Sequence, residues 1–148
     1  MANFFSDNKD LVFSLDNLDL VEAVKIKENN YKFASEFDTA PTDYNDALDN
    51  FKRVMSVVGE ICADNIDPRS RIVDEEGPHF ADGVVTYHEL TRKNLEDLTK
   101  ADVMGIMLPH RFGGLNFPVS VYTMMTEMIS RADASLQNLV GLQDIAET

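Results

Sequence analysis

The sequence predicts an all-α fold with little or no strand. Apolar residues recur at three- and four-residue intervals along most of the chain, which is the spacing of helix faces packed on a core. Strand-like sequence is confined to residues 83–87. With 148 residues, of which 44% are hydrophobic, the chain is large enough to bury a core of its own.

The chain is strongly acidic, with a formal net charge of −13. Proteins bind nucleic acids and anionic membranes through basic surfaces, so this negative charge argues against both classes of partner. The acidic side chains are interpreted as a solubilising surface. No run of sequence approaches the roughly 20 apolar residues of a membrane-spanning helix, so membrane insertion is not expected.

The number of cysteines and the first ten residues both bear on the cellular location of the protein. Cys62 is the single cysteine, so no intramolecular disulfide is possible, as is usual in a reducing environment. The first ten residues lack the apolar stretch of a signal peptide. A cytoplasmic location is therefore expected.

The N-terminal residues mix apolar and acidic side chains. Residues 10–26 predict one or two short helices, with Asp16 or Asn17 as a cap, that pack on something outside this chain. Residues 29–41 are expected to form a connection. One face of the predicted N-terminal helices is expected to contain Leu18, Val21, Val24 and Lys25.

The clearest predicted helix covers residues 43–64. Thr42 is its expected N-cap, and Pro68 lies beyond its end. Residues 65–85 are expected to be a loop with turns, one of them at residues 82–83. The buried stripe of the helix is predicted to be Tyr44, Ala47, Leu48, Phe51, Met55, Val58, Ile61 and Cys62.

Three further helices follow. One covers about residues 88–101, the next begins at Pro118, and the last begins at Asp133, a favourable N-cap. The last pattern reaches Thr148 without a C-terminal glycine, proline or cation, which predicts a chain truncated within a helix. The expected inward residues are Leu90, Leu95, Leu98 and Ala101, then Val121, Tyr122, Met125, Met128 and Ile129, then Leu136, Leu139, Val140 and Ile145.

Residues 108–118, LPHRFGGLNFP, stand out between two helical patterns. Pro109 disfavours helix in the preceding residue, and the Gly-Gly pair permits conformations that a β-carbon forbids. His110 and Arg111 are candidates for an acid or an anion contact, but no carboxylate is spaced to pair with them. Spacing alone therefore favours a structural turn.

Other residues with possible chemistry have plainer interpretations. The three histidines, His79, His88 and His110, are too scattered for a metal site, and one cysteine cannot build a thiolate site. Cys62 lies on a predicted buried stripe. The methionines of residues 124–128 are interpreted as core filling.

Residues 108–143 resemble the N-terminal helical domain of flavin-dependent acyl-CoA dehydrogenases. The matching residues are Pro109, Phe112, Gly113, Gly114, Glu127, Arg131, Ala132, Asp133, Ala134 and Ser135. Upstream sequence is similar to the branch that includes methylthiopropanoyl-CoA dehydrogenase. The residues carrying this second similarity are Asp74, Glu76, Gly77, Phe80, Asp82, Gly83, Val85 and Thr86.

The resemblance implies a domain organisation and an activity. Residues 1–41 would be an N-terminal extension, and residues 42–148 a truncated N-terminal helical domain without the middle β-domain and C-terminal helical domain. The full-length protein would use FAD to oxidise an acyl-CoA to the 2-enoyl-CoA, pass electrons to an electron-transfer flavoprotein and form a homo-oligomer. The family's catalytic base lies in the C-terminal domain, so no catalytic residue is assigned here, and this piece alone is expected neither to bind FAD nor to be active.

The resemblance also implies a substrate-binding surface. The helix after Asp133 forms part of the acyl pocket wall in the family, and the matching positions here are Gln137, Asn138, Gly141, Leu142 and Ile145. Gly141 would leave room for a deeper or wider acyl group. Alternatively, it lets two helices approach closely or merely weakens the helix, and Leu142 and Ile145 fit a core equally well.

Two other functions stay open at this point. One is a stand-alone helical interaction module without enzymatic activity. The other is the branch of the superfamily with a role in nucleic-acid-linked stress protection, against which the charge of −13 argues.

Overall fold

The computed structural model describes residues 2–142, which fold into α-helices and one small hairpin. The all-α prediction is confirmed. The elements are α1 (Lys9–Asn17), α2 (Val21–Lys27), α3 (Tyr44–Ile61), α4 (Asp67–Glu76), β1 (His79–Ala81), β2 (Val84–Thr86), α5 (Glu89–Lys100), α6 (Val119–Ala132) and α7 (Ala134–Gly141).

The two N-terminal helices differ in detail from their prediction. The cap of α1 is Asn8, whose side chain accepts hydrogen bonds from two backbone N–H groups, and not Asp16 or Asn17. Leu18 and Val21 are each 41% exposed. A break between α1 and α2 interrupts the period on which the predicted face was based. The residues that face the core are Leu11, Leu15, Leu20 and Val24.

The N-terminal residues pack on α3, so they have a packing partner within the chain. The expectation that they also pack on something outside the chain stays a prediction, and Phe13 and Ile26 are exposed. Asn3 Nδ2 donates a hydrogen bond to the Ser56 carbonyl, and Phe4 N–H donates to the Gly59 carbonyl. A β-carbon on Gly59 would lie 2.2 Å from Asn3 Oδ1. The absence of a side chain at Gly59 is therefore what lets the N-terminal segment approach so closely.

The start of α3 lies one residue later than predicted. Asp43 is the N-cap and accepts a hydrogen bond from the backbone of Asp46. Asp46 in turn accepts from the backbone N–H and the hydroxyl of Thr42. Thr42 is thus part of the capping arrangement without being the cap itself.

The predicted loop over residues 65–85 is wrong for its first half. A π-helical turn, Cys62–Ile66, follows α3 and leads directly into α4. The wider turn places Pro68 in the first turn of a new helical segment, where its missing N–H is tolerated. A search for apolar residues at a period of 3.6 does not detect a π-helical turn, because the turn shifts the period. For this reason the sequence predicted a loop where α4 follows α3.

The second half of that segment is a β-hairpin, with its turn where the sequence predicted one. Asp82 and Gly83 have φ of 52° and 79°, the left-handed conformation of both central residues of a two-residue hairpin turn. His79 pairs with Thr86, and Ala81 pairs with Val84. All residues of both strands are exposed.

The core is centred on α6, which packs against α3 and α7. Its predicted stripe is confirmed, and Asp133 caps α7 as expected. On α5 the prediction was only partly right, since Leu98 is buried and the other three residues are half-buried. The buried polar residues Thr91 and Asn94 were missed, and Asn94 accepts a hydrogen bond from Arg69 of α4.

Candidate functional site

The segment containing LPHRFGGLNFP is a tightly folded turn, as its spacing predicted. His110–Phe112 form a single 3-10 turn, and Gly113 follows with φ of 84°. Gly114 lies against the chain itself, because a β-carbon there would be 2.1 Å from the Leu108 carbonyl oxygen. The second glycine is therefore required by a close backbone approach.

His110 has a carboxylate partner that sequence spacing did not predict. Its Nε2 lies 3.0 Å from Oε2 of Glu28, which is 82 residues earlier in the chain. Asn116 Nδ2 donates to Glu28 Oε1 and to the Lys27 carbonyl. Thr39 Oγ1 lies 3.3 Å from His110 Nδ1. The statement that no carboxylate pairs with His110 is corrected by this tertiary contact.

The surroundings of His110 and Glu28 indicate that their contact has a structural role, and we call it the anchor. The side chains of His110 and Glu28 are only 2% and 4% exposed. The His110 ring is stacked on Phe37 with ring centres 5.6 Å apart. Arg111 is exposed, and its guanidinium lies over the Phe112 ring at 4.7 Å. The motif thus joins the N-terminal residues to the helical domain through a buried polar contact.

Four of the five predicted pocket-wall residues lie on the side of α7 that faces away from the core. α7 packs against α6 and α5, and its Leu136 and Val140 are buried. Leu142 is 60% exposed, so among the described residues the core interpretation of Leu142 is wrong. Ile145 lies outside the described residues. Helical spacing brings the remaining wall residues into two pairs one turn apart, namely Gln137 with Gly141 and Asn138 with Leu142.

Gly141 leaves space on that side of the helix. Among the described residues, the only neighbour that a β-carbon there would meet is the Gln137 side chain of the same helix, with Nε2 at 2.8 Å. That amide is the far end of a flexible side chain. The described part of the chain therefore does not support the alternative that Gly141 serves a close approach of two helices.

A groove of about 320 Å³ runs beside α7, under the base of the hairpin. We call it the hairpin groove. Its lining comes from the end of α4, the hairpin base, the start of α5 and the start of α7. The lining residues are Val73, Asp74, Gly77, Pro78, Tyr87, His88, Thr91, Ser135, Asn138 and Leu139. Asn138 belongs both to this groove and to the predicted pocket wall.

The polar groups of His88 and Ser135 in the groove are already engaged. His88 Nδ1 accepts a hydrogen bond from Leu90 N–H, so the Nε2–H donates to Glu76 Oε2 at 2.8 Å. Ser135 Oγ donates to Asp133 Oδ1 at 2.6 Å. These contacts fix the start of α5 and of α7 as walls of the groove.

The remaining candidates for chemistry are inert. Cys62 is fully buried on the core side, and burial, with a smaller contribution from Asp67, raises the pKa of its thiol from 9.0 to about 12. Residues 2–142 bring together no group of three His, Cys, Asp or Glu side chains that could hold a metal ion. Over the same residues, no helix is both long and apolar enough to cross a membrane.

The hairpin groove does not fit a flavin dinucleotide. A pyrophosphate needs converging N–H groups or cations. The hairpin groove instead contains the carboxylate of Asp74 and, among its lining residues, no lysine or arginine. Arg69 and Arg92, on the neighbouring helices, are engaged with carboxylates. No chemical step is therefore assigned to a flavin held in this groove.

One comparison with known proteins identifies the origin of this helical arrangement. The family model described as acyl-CoA dehydrogenase, N-terminal domain, matches residues 49–147, well over half of the chain. No curated protein matches the sequence. The matched range includes the LPHRFGG turn, the hairpin groove and α7. The chain belongs to the acyl-CoA dehydrogenase family and contains its N-terminal domain.

Proposed function

We propose that this chain is the N-terminal part of an FAD-dependent acyl-CoA dehydrogenase, which oxidises the α,β carbon–carbon bond of an acyl-CoA thioester to the 2-enoyl-CoA. The family match over residues 49–147 is the observation that carries this proposal. In this reaction a carboxylate removes the α proton while the β hydrogen leaves as hydride to the flavin. The flavin supplies the redox chemistry, so the protein positions and desolvates the thioester.

The contribution of the chain is one wall of the acyl pocket. Gln137, Asn138, Gly141 and Leu142 form it, together with Ile145 beyond the described residues. The solvent-facing position of this side of α7 supports the proposal, because a wall must be open to its ligand. Gly141 adds depth or width where a larger side chain would fill the pocket. The catalytic base and the flavin site are assigned to other parts of the protein, so residues 1–148 alone are inactive.

The proposal extends to the branch and the assembly. The sequence similarity of residues 74–86 is what supports the branch that includes methylthiopropanoyl-CoA dehydrogenase. Residues 1–41 are then an extension to the domain of residues 42–148, joined to it by the Glu28–His110 contact. The protein would be a cytoplasmic homo-oligomer that passes electrons to an electron-transfer flavoprotein.

A spectroscopic experiment tests the activity. The protein that carries this sequence is purified from its native source, and its visible spectrum is recorded without oxygen before and after addition of butanoyl-CoA. We expect a flavin spectrum that bleaches on addition. Pivaloyl-CoA is the control, because it has no α hydrogen and should leave the flavin oxidised. A colourless protein, or a flavin that no acyl-CoA reduces, would contradict the proposal.

A further inference from the structure

The hairpin groove adjoins the proposed acyl wall on the same helix. Asn138 lines the groove, and Leu142 lies one turn further along α7 on the same side. A group that passes Asn138 on the outer side of α7 therefore enters the space under the hairpin. The volume of about 320 Å³ is within the range of small-molecule sites.

The chemistry of the groove is mixed. Val73 of α4 and Leu139 of α7 supply apolar surface. Three exposed polar side chains, those of Asp74, Tyr87 and Asn138, also line it, and within residues 2–142 none of them makes a hydrogen bond or an ion pair. They come from three separate elements and converge on one space. A ligand with an apolar body and one hydrogen-bonding group matches this lining, because unpaired polar groups penalise a purely apolar ligand.

We propose that the hairpin groove receives the far end of the acyl group, and that this end carries a hydroxyl or a similar hydrogen-bonding group. This inference rests on the proposed function. The carboxylate of Asp74 accepts the hydrogen bond from the hydroxyl, and Asn138 and Tyr87 offer further donors. The apolar surfaces of Val73 and Leu139 contact the methylene groups that lead to it. The hairpin is then a determinant of substrate choice through Tyr87 at its base.

Steady-state kinetics of the full-length flavoprotein test this inference. Octanoyl-CoA and 8-hydroxyoctanoyl-CoA differ only in the terminal hydroxyl, and butanoyl-CoA is too short to reach far beyond the reacting carbons. We expect a KM for the hydroxylated substrate about five- to tenfold below that for octanoyl-CoA, since a hydrogen bond to a charged group in an open groove is worth part of its buried value. The kcat for butanoyl-CoA measures the activity of the enzyme with a substrate that does not reach the groove.

Two variants and two matched controls locate the effect. Asp74→Ala and Tyr87→Ala change the groove, whereas Glu75→Ala and Val85→Ala change neighbouring exposed residues that do not line it. Asp74→Ala should abolish the preference for the hydroxyl by raising only that KM, with kcat for butanoyl-CoA unchanged. Tyr87→Ala should reduce the preference in part, and both controls should keep it.

The outcomes separate the two proposals. Equal KM values for both eight-carbon substrates, with butanoyl-CoA still bleaching the flavin, would overturn the groove assignment and leave the dehydrogenase intact. A preference for the hydroxyl that survives Asp74→Ala would also overturn it. Failure of every acyl-CoA to reduce the flavin would remove the proposed function itself.

Discussion

Two regions of the molecule each contain a histidine in contact with a glutamate, and they differ in nearly everything else. His110 and Glu28 are 3.0 Å apart, with side chains 2% and 4% exposed. His88 and Glu76 are 2.8 Å apart, with side chains 17% and 64% exposed. Because desolvation determines the cost of losing a partner, the two contacts should differ widely in their effect on stability despite their similar lengths.

The two regions also differ in the role that we assign to them, which is structural for the buried contact and ligand-binding for the exposed region. The LPHRFGG turn attracts attention in the sequence, but its histidine is enclosed by Glu28, Thr39 and Phe37 and holds the N-terminal residues in place. The region around α7 and the hairpin instead contains the proposed wall and the groove. A conspicuous motif therefore forms the anchor, and a less conspicuous helix presents the surface that we propose for the ligand.

The largest expected effect is at the buried contact. Among residues 2–142, His110→Ala leaves the buried Glu28 carboxylate with Asn116 as its one side-chain hydrogen-bond partner, so the free energy of unfolding should fall by about 3–5 kcal/mol. Urea denaturation followed by circular dichroism measures it. A loss below about 1 kcal/mol would show that water reaches Glu28 and that the anchor is not buried in solution.

The next largest effect on stability is expected at Gly114 in the buried turn, and it should contrast with Gly141 on α7. Gly114→Ala places a β-carbon against the Leu108 carbonyl, which cannot move without the turn, so we expect a loss of about 1–3 kcal/mol. Gly141→Ala meets only the flexible end of Gln137 and gains helix propensity, so it should be neutral or stabilising by up to about 1 kcal/mol. The same denaturation assay decides, and a destabilising Gly141→Ala would show that the wall of α7 is packed against another element.

The smallest effect is at the exposed contact. His88→Ala removes the contact with Glu76 and the cap on Leu90 N–H, and together these should contribute about 1 kcal/mol. Glu76→Gln, which keeps a hydrogen-bond acceptor for His88, is the matched variant and should change stability by less. If His88→Ala were as harmful as His110→Ala, burial would not be what distinguishes the two regions.

The sequence predicted the parts of the fold that depend on local periodicity and capping. The stripe of α6, the Asp133 cap of α7 and the Asp82-Gly83 turn all follow from residues near one another in the chain. The continuation of α3 into α4 was missed, because the π-turn at residues 62–66 adds a residue to the helical repeat. Local rules carry no information about such an insertion.

The candidate site was predictable only in part, for a different physical reason. The wall residues on α7 come from one helix and from a family resemblance, so sequence could propose them. The partner of His110 is 82 residues away, and the polar lining of the hairpin groove comes from three elements. Contacts of that kind arise from tertiary packing and leave no spacing to detect.

We propose that α7 presents an acyl-binding wall in which Gly141 provides space. The most direct test is kcat/KM for butanoyl-CoA and for a bulkier, branched acyl-CoA in the full-length flavoprotein and its Gly141→Leu variant, with Gly141→Ala as the smaller step. We expect leucine to lower kcat/KM for the branched substrate by at least about tenfold and to leave butanoyl-CoA nearly unchanged. An identical profile in all three proteins would contradict the account, because the wall would then lie elsewhere.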